Sequence, residues 1–293
     1  MNNETHYFSK YLNTISSRHH YIPKFFISGF ANSDGLLYLY DKQKDEIFKN
    51  PRSPKSVFFE LDRNTLELNS TTKISIIEDL LYKEIDDKTS KIIRRYQNEE
   101  LSKIDFKTED AAELLFFLIS LFWRIPKTDY AANDLMERST ITTNGIDSEI
   151  LRRDPAYRKI SRAVLFKHHI SEMKNFGTKG KKWINIHQNQ NSHYVIGDYP
   201  ILFRKQPVLF GEFNDIDILV AIGSNRIYSS TNNTLTNFAI KNSYRYNACI
   251  INQSVNYVAC GDLNTLKNLV LFYKKLKETG LIYILDEETF KTE

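Results

Sequence analysis

Apolar residues recur at helical spacing from Ile74 to Tyr96, with Ile74, Ile77, Leu81, Ile85, Ile92 and Tyr96 along one stripe. That pattern predicts a long amphipathic helix. A second helix is predicted over residues 109–124. Thr108 is placed to cap it, Pro126 closes it, and the stretch from Leu114 to Trp123 is apolar nearly all round, as expected of a central buried helix. Residues 130–136 and 157–176 read as two more helices, separated by loop-like residues 139–147. The Gly-rich basic turn at 176–182 ends this helical block.

Strands are predicted on either side of the block. Leu37-Tyr38-Leu39-Tyr40 alternates as a half-buried strand does, and residues 41–46 would turn it back on Ile47-Phe48. Residues 57–61 offer another strand, after a Pro-containing interruption at 51–54, and a short helix or turn is expected around residues 20–30. In the last third, strands at 183–187, 194–196, 218–222 and 257–259 interleave with helices at 233–246 and 263–278. A small N-terminal β layer, a central helical block and a mixed α/β C-terminal third argue for an α+β fold rather than a regular βαβ wind. With no repeat, low-complexity linker or clean boundary, residues 1–293 are expected to form one unit, β-rich over 1–70, helical over 71–180 and mixed over 181–293.

A chain of 293 residues can bury a sizeable core without a metal or disulfide staple. Its 13% aromatic content excludes a disordered chain. Two cysteines, Cys249 and Cys260, are too few for a disulfide framework and point to a reducing compartment. The polar first ten residues lack the apolar core of a secretion signal, and no apolar stretch approaches the roughly 20 residues needed to span a bilayer. A cytoplasmic protein is therefore expected, without a membrane partner. The net charge of +4 is too small to imply nucleic acid, but residues 149–182 carry an excess of seven positive charges, including Arg152, Arg153, Arg158, Lys159, Arg162 and Lys167. With Tyr157, Phe166 and Phe176 offering rings, this segment could track a phosphate backbone. The plain alternative is a solvated helix face.

No Walker loop, dinucleotide-binding glycine pattern, paired zinc histidines on a helix, nucleophilic serine elbow or calcium-binding loop is present. What remains is the dense run His19-His20-Tyr21-Ile22-Pro23-Lys24-Phe25-Phe26-Ile27-Ser28-Gly29-Phe30. It resembles the bacterial domain-of-unknown-function family 4238, whose members open with His-Tyr-x-Pro-x-Phe, a following Gly- or Asn-Phe-Ala, and a short hairpin ending in Tyr-Asp. Leu37 to Asp41 is similar to that hairpin, and the likeness continues through Ile77-Glu78, Arg124-Ile125-Pro126 and Asp198-Tyr199-Pro200. Family members often carry Ser-Asp-Asn-Pro where this chain has Gly197-Asp198-Tyr199-Pro200, so a Ser- and Asn-based chemistry at that turn is not carried over. The resemblance marks positions and brings no reaction.

Four residues stand out chemically. His20 suits a general base or metal ligand, because a free imidazole titrates near neutrality, or it simply bonds backbone. His19 beside it is expected at the surface. Helical spacing sets the Glu78 carboxylate beside the apolar stripe, and sets Arg124 on the inner face of the most apolar helix. Isolated buried charges are costly, so the two are expected to pair with each other, either as a structural ion pair or as a holder for a phosphate or carboxylate. Asp198 follows a predicted strand, where rigid scaffolds present reacting groups, and is also placed as a turn former. His187 and His193 flank the preceding loop and could complete a metal set.

Two functional classes follow. In the first, the protein hydrolyses a phosphodiester or nucleotide, assisted by a divalent metal. His20 is then acid/base or ligand, Asp198 and Glu78 are carboxylate ligands or bases, and Arg124 stabilises developing negative charge. In the second, it is a non-catalytic sensor or binding module for a small anionic ligand, a reading that goes with a phage-defence or mobile-element locus.

Overall fold

The computed structural model describes residues 18–67, 73–75, 77–99, 108–138, 153–175, 183–189, 193–205, 216–231, 240–285 and 289–290. Arg18–His20 forms strand β1 and Lys24–Ser28 the short helix α1. The hairpin of Tyr38–Asp41 (β2) and Glu46–Ile47 (β3) follows, closed by Asp41, whose carboxylate accepts from the amides of Gln43 and Lys44. Phe59–Leu61 (β4) pairs antiparallel with β1, and Leu66–Glu67 (β5) with Lys73–Ile74 (β6).

The amphipathic stripe enters its helix through a π-helical turn, Ile77–Tyr82, and continues as α2, Lys83–Asn98. Thr108–Arg124 (α3) ends just before Pro126, whose ring cannot continue the ladder. Asp129–Arg138 (α4) and Pro155–Asn175 (α5) complete the helical block. Then come Trp183–Gln188 (β7), Ile196–Gly197 (β8), Leu202–Phe203 (β9), Ile218–Gly223 (β10) and Arg226–Thr231 (β11). Ile240–Gln253 (α6), Tyr257–Cys260 (β12) and Leu263–Glu278 (α7) end the order, with Asp262 capping α7 by accepting from the Thr265 amide at 2.6 Å. The predicted turns at 139–147 and 176–182 lie outside the described residues.

The fold is α+β. Two four-stranded sheets, ordered β7-β11-β10-β9 and β3-β2-β12-β8, are antiparallel throughout. The second joins the ends of the chain: Tyr38 stands opposite Cys260 and Asp41 opposite Tyr257. The N-terminal hairpin is thus completed by strands from the last third. β11 is not among the strands expected from the sequence, yet all six of its residues are buried, and it pairs with β7 on one side and β10 on the other.

Helix α3 lies at the centre. Every residue from Phe117 to Arg124 is buried, as expected from its apolar circumference. Phe117 meets the rings of Phe25 and Phe26 at 5.6 and 5.3 Å, and Phe122 meets Phe203 at 6.0 Å, which ties α3 to α1 on one side and to β9 on the other. Each large side chain fully buried there, such as Phe26 and Phe117, contributes about 1.5–3 kcal/mol of transfer free energy. The last residue of α3 is a cation, so a polar region forms where the core ends.

Candidate functional site

Pairing of β1 with β4 sets His19 opposite Glu60 and His20 opposite Phe59, and the strand's period of two sends the two histidines to opposite faces. His19 goes inward and is buried, contrary to the surface position expected of it. Its Nδ1 accepts from the Asn64 amide at 3.1 Å, and its Nε2 meets Thr65 Oγ1 at 3.3 Å. An acceptor at Nδ1 requires the neutral tautomer protonated at Nε2, which then donates to Thr65. His20 is half-buried, its ring 5.7 Å from that of Phe59, and its Nε2 has no hydrogen-bond partner among the described residues. Burial first, and then the Lys24 ammonium, hold His20 below the usual histidine range, while the Pro54 and Lys55 carbonyls and Glu78 pull the other way.

The segment after β4 is fastened by cations. Asp62 adopts a left-handed backbone (φ 51°), turning the chain so that Arg63 points inward. Arg63 donates Nε to the Arg124 carbonyl at 2.8 Å, Nη1 to Glu60 at 2.7 Å, and both Nη1 and Nη2 to the two oxygens of Asp129, at 3.0 and 2.7 Å. Arg162 on α5 shares the Asp129 Oδ1 that Arg63 Nη2 bonds, donating to it at 3.3 Å, and donates to the Arg63 carbonyl at 2.9 Å. Lys159, one turn earlier, donates to the carbonyls of Asp62 and Thr65, both at 2.8 Å. Burial opposes the charge on Arg63, but Asp129 and Glu60 outweigh it and leave the guanidinium above its usual range. Arg162 is lowered, by burial and then by Arg63, and burial likewise lowers Lys159.

Between β4, the 62–65 turn, α4 and α5 lies a pocket of about 370 Å3. Arg63, Arg158, Lys159 and Arg162 line it together with Glu60, Asp62 and Asp129, and Leu61 and Ala132 give it an apolar side. Cations outnumber carboxylates there by one, and Leu61, 65% exposed, is an unusually open large apolar residue.

Arg124 is buried, as its place on α3 predicts, but its partner is Asp86 rather than Glu78. Nη1 donates to Asp86 Oδ2 at 3.0 Å and Nη2 to the Tyr82 carbonyl at 3.2 Å, and the guanidinium lies 4.0 Å from the centre of the Tyr82 ring. Burial lifts the Asp86 carboxyl above its usual range, with Arg124 working against the rise. Glu78 accepts instead from Asn64 Nδ2 at 2.9 Å. It remains within electrostatic reach of His20, Asp86 and Arg124, so three of the four residues singled out do share one neighbourhood.

Asp198 is not in that neighbourhood's hydrogen-bond network. Its Oδ1 accepts from the Val255 amide at 2.7 Å and its Oδ2 from the amides of Asn256 and Tyr257 at 2.6 and 3.2 Å, which closes the turn between α6 and β12. Burial raises its pKa, opposed by these three amides and by Lys42. Asp198 is a turn-forming carboxylate here. His187 Nε2 lies 3.1 Å from Ser229 Oγ, His193 is exposed, and among the described residues no three His, Cys, Asp or Glu side chains are placed to hold a metal ion together.

Of the basic segment, Lys159 and Arg162 face the protein and bind the 62–65 turn, whereas Arg153, Arg158 and Lys167 are exposed and Arg152 lies outside the described residues. Sequence reasoning missed His19, Arg63, Asn64 and Asp129. The one signal for Asp129 was an acid at a helix start, which suits the helix dipole and says nothing of an arginine partner.

The family model described as protein of unknown function (DUF4238) matches residues 18–209, a span that holds the whole cluster. No curated protein and no solved structure matches the chain.

Proposed function

The chain belongs to the family of proteins of unknown function DUF4238, and we propose that it is a binding module for a small anionic ligand, carrying a phosphate or carboxylate, taken up in the pocket between β4, α4 and α5. The observation that carries this reading is the fork of Arg63 and Arg162 around Asp129, with Arg158 and Lys159 on the same pocket wall. Guanidinium groups suit the oxygens of carboxylate and phosphate; Arg63 and Arg162 are held by Asp129 and by carbonyls and set the positive wall, on which the exposed Arg158 is placed to meet a ligand. A volume of about 370 Å3 fits a small molecule rather than a polymer strand. Leu61 and Ala132 would meet an apolar part of the same ligand. The two buried cysteines suit a reducing, cytoplasmic setting, and among the described residues no helix is long and apolar enough to cross a membrane.

Calorimetric titration with inorganic phosphate, phenyl phosphate and a dicarboxylate tests the reading. Binding of at least one of them should weaken roughly tenfold or more in Arg158→Ala, because charge-assisted hydrogen bonds contribute about 1.5–3 kcal/mol. Absence of binding at low salt, or binding indifferent to Arg158, would set the proposal aside.

A hydrolase acting on a phosphodiester or nucleotide is the second reading, and what favours it is His20. A neutral imidazole with an unpartnered Nε2 and Glu78 nearby is suited to accept a proton. Arg124 and Asp198, each committed within the protein, do not add to it. Turnover of a nitrophenyl phosphodiester that disappears in His20→Gln would favour this reading over simple binding.

A further inference from the structure

A second pocket, of about 420 Å3, opens where α1, the C-terminal end of α2 and the turn between β10 and β11 meet. The segment 25–31 that stands out in the sequence forms one of its walls, and the anion site makes no use of it. Three hydrogen bonds hold the walls together. The Ser224 amide donates to the Gly29 carbonyl at 2.8 Å, the Tyr194 amide to the Ser224 carbonyl at 2.6 Å, and Gln97 Nε2 to the Ile222 carbonyl at 2.5 Å. A Cβ at Gly29 would meet the Gln97 amide, the far end of a flexible side chain, so a larger residue there would push Gln97 away from the Ile222 carbonyl.

Against this fixed frame, four polar side chains have unspent capacity. Arg94, Asn98, Ser224 and Asn225 line the pocket and make no side-chain hydrogen bond or ion pair with the described residues. The Phe25 ring, held from behind by Phe117 at 5.6 Å, offers an aromatic surface. Among the described residues no carboxylate lines the pocket, and Arg94 is its one cation. That composition disfavours a metal ion, an amine or a multiply charged phosphate. Carboxamides present a donor and an acceptor in one plane, the complement of the edge of a heterocyclic base, and an aromatic ring takes the face of such a base.

We propose that this pocket binds a nucleobase or nucleoside, with Asn98, Asn225 and Ser224 reading its edge, Arg94 donating to a ring carbonyl and Phe25 packing on its face. The site is independent of the anion pocket and takes an uncharged ligand. Titrating the full chain with adenosine, guanosine, cytidine, uridine and the free bases should reveal one that binds, and Asn225→Ala and Arg94→Ala should each weaken it roughly tenfold or more. Lys267→Ala, on the exposed side of α7, should leave the affinity unchanged. Because the Arg94 and Asn225 side chains make no hydrogen bond or ion pair with the described residues, both variants should melt with the parent chain. Should either fail to fold, amide chemical-shift mapping on the unmodified chain reads the same question, with shifts expected at Asn98, Ser224 and Asn225. No binding by any nucleoside or base at millimolar concentration, binding of neutral saccharides alone, affinity indifferent to both substitutions, or shifts centred elsewhere would each overturn the proposal.

Discussion

Asp129 grips Arg63 with both carboxylate oxygens, at 2.7 and 3.0 Å, from the first turn of α4 across to the segment that follows β4. The arginine is buried while the carboxylate is 38% exposed on the pocket side. A buried cation is thereby neutralised by an anion that solvent, or a ligand, can reach.

Replacing Asp129 by Asn should therefore leave Arg63 with Glu60 as its remaining carboxylate and Arg162 beside it without the one it shares. The expected loss is about 1–3 kcal/mol, below the figure for a fully buried pair because Asp129 keeps part of its hydration. Added phosphate should recover some of that loss by binding the folded state, and should raise the melting temperature of the variant more than that of the parent chain. Equal shifts in the two proteins would separate the fork from anion binding.

Arg124 should be coupled to Asp86 more strongly than to Glu78. Asp86→Asn should cost about 3–5 kcal/mol, since it leaves the guanidinium buried without its anion, and a double-mutant cycle with Arg124→Met should return a coupling energy well above 1 kcal/mol. The same cycle with Glu78→Gln should give less. A larger coupling to Glu78 would mean that the pair forms as the sequence suggested and that the Asp86 contact is not the one that matters.

Acid should destabilise the fold through His169. This side chain is buried and accepts a hydrogen bond from Trp123 Nε1 on its Nδ1 at 3.2 Å, and burial holds its pKa down at about 4. The unfolded chain takes up the proton near pH 6.5 and the folded chain only near 4, so stability is complete above pH 6.5 and falls as the pH drops towards 4. On the order of 3 kcal/mol is lost across that window. His169→Phe should lower stability at pH 7, because Trp123 loses its acceptor, and should flatten the slope between pH 6.5 and 4.5 in denaturant melts. An unchanged slope would locate the acid sensitivity elsewhere.

Leu118→Ala should cost about 2–5 kcal/mol, as a cavity opens in the most buried stretch of α3. A loss below about 0.5 kcal/mol in chemical denaturation would contradict that burial.

Local pattern in the sequence determined which segments become helices and which of their faces turn inward. Helix α7 spans the predicted 263–278, α3 begins within a residue of its predicted start, and Arg124 is on the inner face that its spacing from Phe117 and Leu121 required. Those properties depend on neighbours within a turn or two, and periodicity records them. The tertiary structure alone decided the partners. Ile74 belongs to strand β6 and Glu78 to a π turn, which is wider than an α turn, so a helical wheel drawn at 3.6 residues per turn from Ile74 does not apply at Glu78, and Asp86 on α2 meets Arg124 in its place. His19 and His20 differ only in which face of a three-residue strand each occupies, and that was fixed by the pairing of β1 with β4, some 40 residues away. β11 is a strand because β7 and β10 lie on either side of it, although its last three residues are Ser229, Ser230 and Thr231. Arg63, Asp129 and Arg162 are widely separated along the chain, so no local pattern joins them. What joins them is the cost of burying a cation without its anion, which the chain meets only once β4, α4 and α5 have packed together.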